Sequence, residues 1–124
     1  MTYETKDSGK RQEFDSGMVR DTTDGKTMWH LVADGPMLKR YAALMTRGAV
    51  KYTAGNWLKA DGAEERARFR ESAFRHFMQW FLGETDEDHA AAVWFNINGA
   101  EMVANKKMLE EYAPTEEGAK ENGQ

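Results

Sequence analysis

From Thr85 to Lys107 the sequence sets apolar residues on almost every side of a helical wheel, through Ala90, Ala91, Val93, Phe95, Ile97, Ala100 and Val103. A helix of this kind has no solvent face and must be covered by other elements. It predicts a central, buried helix and, with it, an all-α fold: a small helical bundle. A chain of 124 residues can bury one such core and has little left for a second. Two polar residues on this helix, His89 and Asn96, share a face with small Ala92 and Ala100 beside them. A buried Asn needs hydrogen-bond partners, so a neighbouring helix is expected to come close there.

Two further helices are predicted around it. The first starts near Pro36, with Asp34 as a cap, and carries Leu38, Tyr41, Ala42, Met45 and Ala49 at helical spacing before ending near Tyr52. The second runs from Ala63 to Leu82 and stops at Gly83. On it Phe69, Ala73, Phe77, Trp80 and Phe81 form a broad apolar face, flanked by Ser72, His76 and Gln79. Residues 1–27 are polar, with few apolar anchors, and read as a flexible, mostly irregular N-terminal arm. The domain proper is expected over 28–112, and 113–124 as a short disordered C-terminal tail. Strand character is limited to Met28–Val32.

Composition excludes several functions. A net charge of -4 gives no basic field for extended nucleic-acid binding. The absence of cysteine removes disulfides and thiolate metal sites, and neither a signal-like stretch nor a membrane-length apolar run is present, so the expectation is a cytoplasmic chain with no membrane contact. Asp24-Gly25-Lys26-Thr27 resembles the end of a P-loop, but Arg20 stands where its first glycine belongs. No nucleophile elbow, cysteine nucleophile or His-Glu-x-x-His motif occurs.

The candidate functional centre is the pair of His-bearing helices. His76 and His89 can serve as metal ligands or acid/base groups, or be core-edge histidines satisfied by neighbours. The acids from Glu84 to Asp88 suit a helix start, where Thr85 and Asp88 have capping-box spacing. Asp86 and Asp88 can equally bind a hard divalent cation, which takes one or two carboxylates plus substrate phosphates. Arg40, Arg47 and Lys51 form one stripe of the first helix, either solvated or phosphate-binding, the latter more so if Arg75 points into the same cleft. Lys51-Tyr52-Thr53-Ala54-Gly55-Asn56-Trp57 either closes the core or stacks a base and reads its edge.

Gly17-Met-Val-Arg20-Asp21, Gly25-Lys26, Arg47-Gly48-Ala49-Val50-Lys51-Tyr52 with Asn56-Trp57, Arg75-His76, and Asp86-Glu-Asp-His89 with Asn96 occur in this order along the chain. Together they resemble the phage-associated dATP/dGTP diphosphohydrolase N-terminal domain family, related to the MazG-like all-α nucleotide pyrophosphohydrolases, over roughly Gly9 to Glu101. The resemblance implies a MazG-like bundle and an Mg²⁺- or Mn²⁺-dependent enzyme that cleaves a deoxypurine triphosphate to monophosphate and pyrophosphate in the host cytoplasm. It also implies a homo-oligomer. His76, Asp86 and His89 are then the catalytic and metal residues, Arg47, Lys51 and Arg75 hold phosphates, and Asn56, Trp57 and Asn96 contact substrate. The chain departs from the MazG-like acidic pattern: Glu64-Glu65 is followed by Arg68 rather than a third acid. The nearest substitutes are Glu71 or His76 and Asp86 or His89. The alternative is a non-enzymatic phage accessory module that binds a nucleotide or a host protein.

Overall fold

The computed structural model describes residues 2–112, so the expected tail at 113–124 lies outside the described residues. The chain divides into two compact units, one ending at Leu31 and the other beginning at Val32.

The first unit, expected to be mostly irregular, contains a short antiparallel hairpin of β1 (Arg11–Glu13) and β2 (Val19–Asp21), with Gln12 opposite Arg20. Its turn closes through the Phe14 N–H to the Met18 carbonyl (2.9 Å), and Gly17 adopts φ 89°, open to glycine at little cost. Polar contacts supply what apolar burial does not. Asp7 takes two hydrogen bonds from the Arg11 guanidinium at 2.7 and 2.8 Å, and Ser8 bonds Asp21 through both its amide and its hydroxyl. The Met28–Val32 run, read as strand-like, lies instead largely within a 3-10 turn over Trp29–Ala33. Its side chains are exposed, and a strand so short needs a paired, half-buried surface to persist.

The second unit holds three helices: α1 (Met37–Tyr52), α2 (Ala63–Phe81) and α3 (His89–Tyr112). Asp34 does not cap α1; Gly35 turns the backbone at φ 77° and Pro36 occupies the cap position with no side-chain bond. At the start of α2, Glu65 reaches back to accept from the Gly62 and Asp61 amides, each at 3.2 Å. Its end is a Schellman turn: Glu84 N–H bonds the Gln79 carbonyl, Gly83 N–H bonds that of Trp80, and Gly83 sits at φ 81°.

The third helix starts later than Thr85 or Asp86. Asp88 is its cap, with Oδ1 accepting the Ala91 amide at 3.1 Å. Residues 84–88 are thereby left as a non-helical connection. Among the described residues every buried one but Ala60 lies on α3: His89, Ala91, Ala92, Asn96, Gly99, Ala100 and Val103. The expectation of a central helix holds, and small residues make it possible. A Cβ on Gly99 would fall 2.5 Å from the Phe69 ring, so that glycine is what lets α2 lie against α3.

The packing face of α2 differs from the one expected. Arg66, Phe69, Ser72, Ala73, His76 and Gln79 are partly covered, whereas Phe77, Trp80 and Phe81 are 43%, 52% and 70% exposed. The residues taken for a flank form the seam. On the other side, α1 is tied to α3 by Arg40, which grips the Asp88 carboxylate through Nε (2.9 Å) and Nη2 (2.5 Å), and by Asn98 Nδ2 donating to the Tyr41 hydroxyl (2.9 Å). Among the described residues no helix is long and apolar enough to cross a membrane.

Candidate functional site

The cap at Asp88 decides the site. By ending the connection there it makes His89 the first residue of α3, turned into the seam and only 2% exposed, and leaves Asp86 and Glu87 in the connection just before it. His89 Nε2 lies 2.7 Å from Asp86 Oδ1, and His89 Nδ1 lies 2.8 Å from His76 Nδ1. An ionised carboxylate only accepts, so Nε2 of His89 carries the proton and donates it to Asp86. In a neutral His89 the lone pair is then on Nδ1, facing His76.

The electrostatics favour ligand-ready forms of Asp86 and His76. The hydrogen bond from His89 holds the Asp86 carboxyl below its ordinary value. Burial pushes His76 below the usual imidazole value, against the opposing pull of the Glu87 charge. A neutral imidazole beside an ionised carboxylate is the combination a divalent ion requires. Nδ1 or Nε2 of His76 and His89 and a carboxylate oxygen of Glu87 offer three donor atoms within 4.8 Å of one another.

This cluster borders a cleft between α1, α2 and α3. Its polar end, a cavity of about 830 Å³, is lined by Arg47, Ser72, His76, Asp86, Glu87 and Asn96 among others. The other end, of about 870 Å³, is lined by Lys51, Tyr52, Asn56, Trp57, Phe69 and Phe95 among others. Leu44, Arg47, Tyr52, Glu87 and Phe95 line both, so the two cavities adjoin. Each end is within the size range of small-molecule sites, about 300–1,000 Å³.

The aromatic end has a built wall. Phe95 meets Trp57 edge-on at 5.8 Å between ring centroids and Phe69 edge-on at 5.9 Å, a preferred geometry for aromatic pairs. Trp57 is carried by a 3-10 turn over Asn56–Lys59, and Lys106 anchors that turn from α3 by donating to the Leu58 and Ala60 carbonyls. Gly55 enters the turn at φ 79°, and Thr53, a β-branched residue, is held at φ 111°. Such strain costs of order 1–3 kcal/mol and persists only where the surroundings enforce it.

The cleft thus brings together Arg47, Lys51, Asn56, Trp57, His76, Asp86 and Asn96, with His89 immediately behind. Asn96 is 7% exposed and its Nδ2 donates to the Ala92 carbonyl at 2.8 Å. Arg75 is exposed and is not among the lining residues, although its charge contributes to lowering the pKa of His76. Arg40 is occupied by Asp88, and Asp88 is a cap. Tyr52, in the turn read as core-closing or base-stacking, lines both cavities, whereas Glu87, Phe69 and Phe95 are lining residues that the sequence does not single out as part of a site. Glu87 sat in an acidic run already explained by a helix start, and only the later start at His89 frees it. Phe95 and Phe69 read as core, and they are core that also faces the cleft.

The family described as dATP/dGTP diphosphohydrolase, N-terminal, matches residues 16–112. No curated protein and no solved structure matches the chain.

Proposed function

Since the chain belongs to the dATP/dGTP diphosphohydrolase N-terminal family, we propose that it catalyses metal-dependent hydrolysis of a deoxypurine nucleoside triphosphate to the monophosphate and pyrophosphate. The observation that carries this reading is the adjacency of two cavities that share Arg47, Tyr52, Glu87 and Phe95, one with a wall of Trp57, Phe95 and Phe69 and the other bordered by His76, Asp86 and Glu87. A nucleotide needs both at once, an apolar face for its base and a charged end for its phosphates.

In this reading Trp57 stacks the base and Asn56 meets its edge. Arg47 spans both ends and, with Lys51, binds phosphate oxygens and offsets the charge that develops as water attacks the α-phosphorus and pyrophosphate leaves. Asn96 helps orient the phosphate end. His76, Asp86 and His89 build the site of a divalent ion, Mg²⁺ or Mn²⁺, that would polarise phosphate oxygens and lower the pKa of a water. The site suits such an ion, because burial favours the neutral form of His76 and the hydrogen bond from His89 favours the ionised form of Asp86. Substrate of this kind places the reaction in the cytoplasm. The exposed aromatic face of α2 supports a homo-oligomer as the working form.

Purified protein incubated with each dNTP and Mg²⁺ or Mn²⁺ is expected to release pyrophosphate from dATP or dGTP; no release across the panel overturns the catalytic reading. One observation favours a second reading, a nucleotide-binding module without turnover: Arg68 lines the aromatic end of the cleft where a MazG-like helix would carry a further acid. Calorimetry separates the two. Binding of dATP or dGTP that persists in EDTA without turnover supports the module, and binding that requires the ion supports the enzyme.

A further inference from the structure

The divalent ion invoked above can be assigned to specific atoms, an assignment that rests on the metal-dependent reading and narrows it, favouring Mn²⁺ over Mg²⁺ and setting Asp86 behind a ligand rather than on the ion. We propose that His76 Nδ1, His89 Nδ1 and the Glu87 carboxylate are the direct ligands of a borderline divalent ion such as Mn²⁺, Fe²⁺, Co²⁺ or Zn²⁺, and that Asp86 is a positioning residue which orients His89 without touching the ion.

Three observations converge. First, the two Nδ1 atoms lie 2.8 Å apart. Two imidazole nitrogens that each bind one ion at about 2.0–2.1 Å, at right angles, lie roughly 3 Å apart, so the spacing is already that of a chelate. The rings now face each other along the line of the two nitrogens, with centroids 5.1 Å apart, and each must turn so that both lone pairs meet an ion beside that line. The bridging proton leaves Nδ1, and His76 then carries its proton on Nε2.

Second, Glu87 brings the third donor, a carboxylate oxygen within 4.8 Å of a ring nitrogen of each histidine. It stands on the solvent side of the pair and lines both ends of the cleft, so a phosphate in the cleft can reach open positions on the same ion.

Third, Asp86 Oδ1 is engaged at 2.7 Å with the far nitrogen of His89, Nε2. A carboxylate there fixes the tautomer, leaves Nδ1 as the donor and strengthens its basicity, as outer carboxylates do for metal-bound histidines. Asp86 and the ion therefore occupy opposite edges of one imidazole ring.

The ligand set decides the metal. Mg²⁺ seeks oxygen donors and keeps its waters, whereas imidazole nitrogens suit the borderline ions. Two nitrogens of three protein ligands set this site apart from an all-carboxylate Mg²⁺ site.

The test titrates the metal-free full chain with Co²⁺, Mn²⁺ and Mg²⁺ alone, by calorimetry and by the visible absorption of Co²⁺, with no nucleotide present. One equivalent of Co²⁺ is expected, with a ligand-field spectrum of nitrogen coordination, and Mg²⁺ at least 100-fold weaker. Glu87→Gln, an exposed substitution that does not threaten the fold, and His76→Gln are expected to weaken Co²⁺ binding by at least 100-fold. Asp86→Ala should weaken it about 10–100-fold at unchanged stoichiometry, and Asp86→Asn, whose amide oxygen still accepts from Nε2, should recover most of that loss.

Unchanged Co²⁺ affinity in Glu87→Gln, or tighter binding of Mg²⁺ than of Co²⁺, overturns the assignment. So does a change in the Co²⁺ spectrum on Asp86→Asn that shows loss of a direct oxygen ligand. The failure of the hydrolytic reading is separate. Metal binding as described without pyrophosphate release keeps the site and removes the reaction. Pyrophosphate release that Glu87→Gln leaves intact keeps the reaction and removes the site.

Discussion

The face of α2 turned towards α3 carries Arg66, Ser72, His76 and Gln79, with only Phe69 and Ala73 as apolar members, and all six are partly covered. Off that face, Phe74, Phe77 and Phe81 are 69%, 43% and 70% exposed, and Trp80, at the angular position of Phe69 and Ala73 but in the last turn of the helix, is 52% exposed. Polar residues inside and aromatic ones outside is the reverse of an ordinary surface helix. The difference follows from what each face meets. The inner face meets the small-residue side of α3, where Gly99 leaves room for one large ring, Phe69, and where His89 and Asn96 need polar company. Packing volume and hydrogen-bond demand selected the inner face, and hydropathy did not. An inward polar face beside a cleft is a candidate site, and exposed aromatics are a candidate surface for a partner.

The largest effect is expected from breaking the inner pair. His89→Ala removes the bonds to both Asp86 and His76 and leaves a cavity where the side chain is 1% exposed. The expected loss is about 2–4 kcal/mol in urea unfolding. His76→Ala, at a half-buried position, should cost no more than about half as much. Equal, negligible losses for both would show that the seam does not depend on the histidine pair.

Gly99→Ala comes next. The added Cβ meets the Phe69 ring at 2.5 to 2.7 Å, and that ring is held by its edge contact with Phe95. Overpacking of about 1–3 kcal/mol is opposed by a helix-propensity gain of about 1 kcal/mol, so a net loss is expected. The variant should also lose nucleotide affinity, because Phe69 and Phe95 wall the cleft. A stabilised variant would mean that α2 and α3 are not in close approach at this point.

The inversion also explains what the sequence discloses. The central helix was legible because it is apolar on all sides, so no choice of face enters the reading. The ends of α2 were legible from Gly83 and from length. The face of α2 was not, because a helical wheel ranks residues by hydropathy and cannot see that Gly99 on a partner helix admits one ring only. The residue types of the site were legible as His76, Asp86 and His89. The division of labour among the acids was not, since it turns on where α3 starts. With the cap at Asp88 rather than Thr85, Asp86 and Glu87 are released from the helix. Likewise, Arg40 looked like a phosphate ligand, and only three-dimensional proximity pairs it with Asp88.

A smaller effect is expected at that pair, which holds the start of α3 and so aims His89 inward. The hydrogen bonds from Arg40 hold the Asp88 carboxyl below its ordinary value of 3.8. For a depressed acid, the stabilisation is fully present above the unfolded-state value and is lost as pH falls through the lower folded-state value. Stability should therefore decline below about pH 4 in part through this group. Asp88→Asn should flatten that part of the acid limb and lower stability at neutral pH by about 1 kcal/mol. Thermal unfolding at a series of pH values measures both, and an acid limb unchanged in the variant would remove Asp88 from the account.

The smallest effect on the fold is expected at the exposed aromatics at the end of α2, and that smallness is informative. Trp80 and Phe81 are more than half exposed, so replacing both with Ser removes little buried area within one chain. Unfolding in dilute solution should change by no more than about 0.5 kcal/mol per residue. Oligomeric state is the sensitive readout. If a second copy covers Phe77, Trp80 and Phe81, light scattering at high micromolar concentration gives a dimer or larger for the native chain and a monomer for Trp80→Ser/Phe81→Ser. A native monomer, or a double variant that still associates, separates the two faces of α2 differently: the aromatic face would then lack the partner that its composition demands. A double variant that unfolds outright would mean that these rings pack within the chain, and the contrast between the faces would fail.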